Sequence, residues 1–127
     1  MNIKALSKLS DTPISTIRYY ERCGLLPIPN RLANNYRDYD ELAVQYLNFI
    51  RYMNGLGFSL HRTKEVIHHI EDGSINKTYI MSMLACQNEK IQNQLEQLQT
   101  LKEVVNTISS QTNEIDDFLE FVYPLFL

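Results

Sequence analysis

No stretch of this 127-residue chain holds the roughly 18 consecutive apolar residues that a membrane span needs. Its opening, "MNIKALSKLS", is amphipathic and lacks a long apolar run leading to a cleavage site, so no secretory signal is expected. Cysteine is scarce: Cys23 and Cys86 are far apart and in no metal-like spacing, which argues against a disulfide scaffold. Two reduced thiols and a cytoplasmic location are the expectation. There is no Gly-rich phosphate loop, no paired-acid or His/Cys constellation and no Ser nucleophile elbow. An enzyme is therefore not expected, and no motif calls for a cofactor or a metal. What remains is one domain by length, or a small domain with an extension, and 44% hydrophobic residues suffice for a core.

The net charge of −3 hides a split. Residues 1–64 carry nine Lys/Arg against five Asp/Glu, or +4, and residues 65–127 carry three Lys against ten acids, or −7. A basic half joined to an acidic half suggests one end that binds a polyanion and another with a different task.

Ile3, Leu6 and Leu9 form one apolar helical stripe with Asn2 as N-cap. "SDTP" breaks it, and Thr12-Pro13 predicts a new helix with Pro13 at its first position. Ile14 and Ile17 can face the first helix, and Gly24 supplies a left-handed end. Two short helices joined by a turn are helix-turn-helix geometry. Pro27 and Pro29 then forbid helix. Asn34-Asn35 tolerates the positive φ of a tight turn, which predicts a short hairpin with Tyr36 and Tyr39 on its return strand. A third helix is expected over 41–54, capped by Asp40 and ended by Gly55 and Gly57, and a fourth after Ser59, stopped by "EDGS".

From Asn76 to Ser109 there is neither Pro nor Gly. Leu84, Ile91, Leu98 and Val105 repeat every seven residues, Ile80, Leu101 and Ile108 occupy the other apolar heptad position, and Gln87 and Gln94 interrupt it. A helix this long, about 50 Å at 1.5 Å per residue, cannot bury itself against some 75 preceding residues. A second copy of the chain is the economical partner; a long edge helix of a monomer is the competing reading. The tail "NEIDDFLEFVYPLFL" predicts one short helix capped by Asn113 and ended by Pro124. The expected division is 1–72, 73–111 and 112–127.

The run "STIRYYERCGLL" fits a helix lying in a major groove. Ser15 and Thr16 are short enough for close approach, Arg18 can reach a base edge or phosphate, and Tyr19 and Tyr20 can give hydroxyls to phosphate. A Tyr–Arg surface cluster packing on itself is the plainer alternative. The hairpin just behind it, with Arg31, Tyr36, Arg37 and Tyr39, weakens that alternative, because cations and tyrosines on two adjacent protrusions suit a phosphate backbone.

"IRYYERCGLLPIPNR", "NYRDYD" and "GFSL", in this order and spacing, resemble the MerR family of bacterial transcription regulators over residues 1–72. The long helix resembles that family's antiparallel dimerisation helix. The resemblance implies a mainly α fold: a winged helix-turn-helix domain, a long antiparallel coiled-coil helix and a short tail. It implies a homodimer on a near-palindromic promoter site in double-stranded DNA, which it bends and untwists so that RNA polymerase, acted on through the DNA, engages both promoter elements. The matching positions imply DNA contacts by Arg18, Tyr20, Arg31, Tyr36, Arg37 and Tyr39. Two departures stand out: Asn35 where the family usually has Gly, and "LHRTKEV" after "GFS" where acids usually follow. Arg62 and Lys64 there are expected to add phosphate contacts.

Family metal sensors carry cysteines near the start of the dimer helix and in the tail, whereas residues 73–82 and 109–127 have none. His68 and His69 are adjacent and cannot both face one ion from one helix. A thiolate metal sensor is therefore not expected. The tail aromatics Phe118, Phe121, Tyr123 and Phe126 either line a pocket for a small-molecule effector or seal the helix end. A coiled-coil adaptor that binds protein and ignores DNA is the alternative function.

Overall fold

Polar side chains cap three of the first four helices, and glycines follow the ends of three. The computed structural model describes residues 1–125, so Phe126 lies outside the described residues. It divides into two units, Met1–Ile80 and Met81–Leu127, with the boundary inside one long helix.

The first unit opens with α1 (Ile3–Ser10), where the Asn2 side chain accepts from the Ala5 N–H at 2.9 Å. α2 (Ile14–Arg22) follows. Pro13 is its N-cap rather than its first helical residue: ψ of 146° keeps Pro13 extended, while its carbonyl accepts the first helical bond from Ile17 at 3.0 Å. The Thr12 hydroxyl does not cap α2 but donates to the Ser10 carbonyl. α2 ends as expected on Gly24, at φ +74°. Leu25 N–H reaches the Tyr20 carbonyl and Gly24 N–H the Glu21 carbonyl, the paired bonds of a Schellman stop. The Lys64 ammonium also lies over this helix end, where the helix dipole favours a cation.

The hairpin is short: β1 (Asn30–Arg31) and β2 (Arg37–Asp38) pair antiparallel, Asn30 opposite Asp38 and Arg31 opposite Arg37. Its tip turns on Asn35 at φ +68°, a conformation that Asn tolerates better than most residues. The Asn34 side chain accepts from Tyr36 N–H at 3.2 Å, and the Asn35 carbonyl accepts from Arg31 Nη1 at 2.8 Å. Two asparagines thus hold the tip without a glycine.

Asp40 caps α3 (Glu41–Gly55) and Ser59 caps α4 (Leu60–Glu71). Gly57, at φ +83°, closes α3 by the same pair of bonds as Gly24 closes α2. α1 packs on α2 and α3, and α3 on α4. Leu6, Ile17, Leu25, Leu47 and Ile50 are fully buried at the centre. Each contributes about 1.5–3 kcal/mol by leaving water, which fixes α2 against α1 and α3.

α5 (Lys77–Ser110) starts on Asn76, whose side chain accepts from Tyr79 N–H at 2.8 Å. Most of it belongs to the second unit, with α6 (Thr112–Val122) and a 3-10 turn over Tyr123–Leu125. Asn113 is not the cap of α6, because the helix already begins at Thr112 after Gln111 without a side-chain cap bond. Pro124 sits in the turn that prolongs the helix. Among the described residues no helix is long and apolar enough to cross a membrane.

Candidate nucleic-acid interface

α2 and the hairpin converge on one groove of about 400 Å³. Arg18 and Arg22 reach it from α2, four residues apart and so on one helix face. Arg31 reaches it from β1 and Arg37 from β2. Leu26, Pro27, Ile28 and Pro29 form its apolar wall. Arg18 and Arg37 also line a neighbouring hollow that runs to Tyr36 at the hairpin tip, so they stand on the ridge between the two. Cations from three segments thereby present one surface, the arrangement that follows a sugar-phosphate backbone.

The expected contact residues divide by placement. Ser15 and Thr16 lie in the first turn of α2, with Ser15 exposed. Tyr36 is 72% exposed at the tip. Tyr39 is a correction: only 4% exposed, it belongs to the hydrophobic core, and its hydroxyl donates to Glu21 Oε1. The two tyrosines flank the two-residue strand β2, and packing on the core turns Tyr39 in while Tyr36 stays out. Burial first, and then the Glu21 carboxylate, raise the Tyr39 phenol well above its ordinary value, so it stays a neutral donor.

Tyr19 and Tyr20 do not line the groove. The Tyr19 ring lies 5.8 Å from the Arg22 guanidinium carbon, and a side-chain hydrogen bond with Cys23 raises its pKa. Tyr20 packs on the core, and its hydroxyl accepts from Asn54 Nδ2 at 3.4 Å. Arg62 is outside the groove, paired with Glu65 at 3.0 Å on α4. Arg22 and Glu21 are charged groove residues that sequence reasoning misses; for Arg22 the four-residue spacing from Arg18 is the available signal. Of the thiols, Cys23 is half-buried and Cys86 exposed. His69 bonds Ser74 Oγ at 2.6 Å and its ring meets Tyr79, while His68 is exposed.

Residues 1–70 match the MerR HTH family of regulatory proteins. The chain belongs to the MerR family. It is 30% identical over 105 residues to the mercuric resistance operon regulatory protein of Bacillus cereus, covering 83% of this chain and 80% of that one. It is 43% identical over 72 residues to the transcriptional regulator HmrR of Rhizobium leguminosarum, covering 57% and 55%. A transcription regulator of Ralstonia metallidurans crystallised with lead(II) superposes with a TM-score of 0.80 at 25% identity, over 87% of this chain and 86% of that one. The fold is shared with HiNmlR, crystallised on promoter DNA, at a TM-score of 0.60 and 18% identity over 87% and 83%. This MerR-family chain is a DNA-binding transcriptional regulator and not an enzyme, and the adaptor alternative is not favoured.

The apolar heptad positions of α5 form a stripe on the single chain. Ile80, Leu84, Ile91, Leu98, Leu101 and Val105 are exposed and Ile108 is half-buried. Glu89, Glu96 and Glu103 repeat with the same period on the opposite side. In the tail, Phe118, Phe121 and Tyr123 are exposed.

Proposed function

We propose that two copies of this regulator pair antiparallel through α5 and set their arginine grooves on the half-sites of a near-palindromic promoter element. The dimer distorts the duplex, and RNA polymerase responds to the DNA. The observation that carries the pairing is the apolar stripe of α5, exposed on the single chain and repeating every seven residues. A stripe of that length left in water is an association surface, and the family resemblance supplies the antiparallel sense and the distortion. The proposed DNA contacts are Ser15, Thr16, Arg18, Arg22, Arg31, Tyr36 and Arg37. Arg62, Tyr19 and Tyr20 flank them.

The effector we propose is a small molecule. Phe118, Phe121 and Tyr123, exposed on their own chain, supply apolar surface for it beside the partner chain. The cysteine positions support this over a thiolate-bound metal, since Cys23 ends the recognition helix and Cys86 lies well inside α5. The test selects a duplex in vitro against the protein, then measures stoichiometry by sedimentation and bending by a permuted gel-shift series. Two protomers on one bent duplex are expected. One protomer per duplex would overturn the dimer, and a straight duplex would overturn the distortion.

A further inference from the structure

An acid stands among the arginines. Glu21 lines the same groove as Arg18, Arg22, Arg31 and Arg37, with its side chain only 13% exposed. A carboxylate on a phosphate-binding surface repels the ligand, so an acid here needs a compensating role. Its partners supply one. Oε2 forms an ion pair with the Arg37 guanidinium, 3.2 Å from its Nε, and Oε1 accepts from the buried Tyr39 hydroxyl. One carboxylate on α2 therefore grips the return strand of the wing at two residues, one at the surface and one in the core.

The grip also orients Arg37. Guanidinium has five N–H donors, one on Nε and four on the two Nη groups. Glu21 occupies the Nε edge and leaves the Nη pair for a ligand. Arg37 lines both hollows of the interface and its side chain is 42% exposed, so a backbone running along them comes within its reach. Tyr39 does not compete for phosphate, because it is in the core.

We propose that Glu21 is a positioning residue for DNA recognition: it holds Arg37 by its Nε edge so that the Nη edge meets a phosphate, and it locks the wing to the recognition helix so that both engage the duplex as one body. This rests on the DNA-binding reading of the groove. The two accounts of Glu21 differ in sign. A bystander acid, once neutralised, would let the groove bind DNA more tightly, whereas a positioning acid would let it bind more weakly.

The experiment uses the full chain and a fluorescent duplex selected in vitro against the wild-type protein, with anisotropy read over a salt series. Glu21→Gln keeps the shape and an acceptor for Tyr39 but turns an N–H donor toward Arg37. Binding should weaken about tenfold, the worth of one charge-assisted bond, and the salt slope should flatten by about one unit for each phosphate that is no longer neutralised. In an Arg37→Ala background the same substitution should cost nothing, because the residue it acts through is gone. Binding by Glu21→Gln as tight as wild type or tighter would overturn the proposal. So would an equal weakening in the Arg37→Ala background, which would make Glu21 merely structural. Should Glu21→Gln unfold, Arg37→Lys asks the same question: a single ammonium cannot serve Glu21 and phosphate on two edges, so unchanged affinity would overturn the proposal. A wild-type protein that selects no duplex would instead remove the DNA-binding reading underneath it.

Discussion

Replacing Leu98 by lysine tests the dimer at its least protected point. Leu98 is 63% exposed on the single chain, so the substitution removes almost nothing from the fold of one protomer. In the proposed pair it acts twice. Each lost leucine burial is worth about 2 kcal/mol, so the two copies lose roughly 4 kcal/mol before any charge is counted, about a thousandfold in dissociation constant. The charge adds to this. The acids Glu96 and Glu103 of the same helix lie on the far side from the seam, so neither partners the new ammonium, although the lysine stem can lead its head partly back to water. Sedimentation velocity at micromolar concentration should turn a dimer into a monomer while circular dichroism keeps the first unit's thermal transition. Affinity for the selected duplex should fall with it, because two half-sites bound separately lose their effective concentration. A Leu98→Lys protein that stays dimeric at wild-type affinity would refute the seam.

Arg18→Ala should weaken duplex binding by about 1–3 kcal/mol with its folding midpoint unchanged, and a drop in stability with intact binding would assign it to structure; Arg37→Ala should weaken binding by a similar amount and also lower the midpoint, because it strips the largely buried Glu21 of its cation. Tyr39→Phe should alter the alkaline limb of stability. The folded phenol's pKa is raised, so the stabilisation is complete below the unfolded value near pH 10 and fades as pH climbs through the folded one. Urea midpoints taken from pH 8 to pH 11 should therefore fall more steeply for wild type than for Tyr39→Phe, and parallel curves would contradict the burial assigned to Tyr39. Deleting residues 113–127 should leave dimerisation and duplex binding intact, since the seam ends near Ile108, and should remove the transcriptional response to effector. Failure to bind the duplex in a still-dimeric truncation would mean that the tail sets the spacing of the two DNA-reading domains.

Most of what the sequence by itself determined is local. Asn2, Asp40 and Ser59 each bond a backbone N–H three residues on, and Gly24 and Gly57 close helices through bonds spanning five residues or fewer. Interactions of that reach are written in consecutive letters, as is the seven-residue period of α5. Asn113 fails as a cap because α6 begins one residue earlier, at Thr112, with no side-chain bond to mark its start. The tertiary structure decided what joins distant letters. The wing strands are two residues long, too short for a period of two to declare itself, so only packing sent Tyr39 inward and left Tyr36 outside. Arg62 pairs with Glu65 one turn away on α4 and stands apart from the groove. Glu21 reads as one more helix-surface acid until the wing folds over it; its contacts with Arg37 and Tyr39 cross 16 and 18 positions and depend on Ile17, Leu25 and Tyr39 being buried in one core.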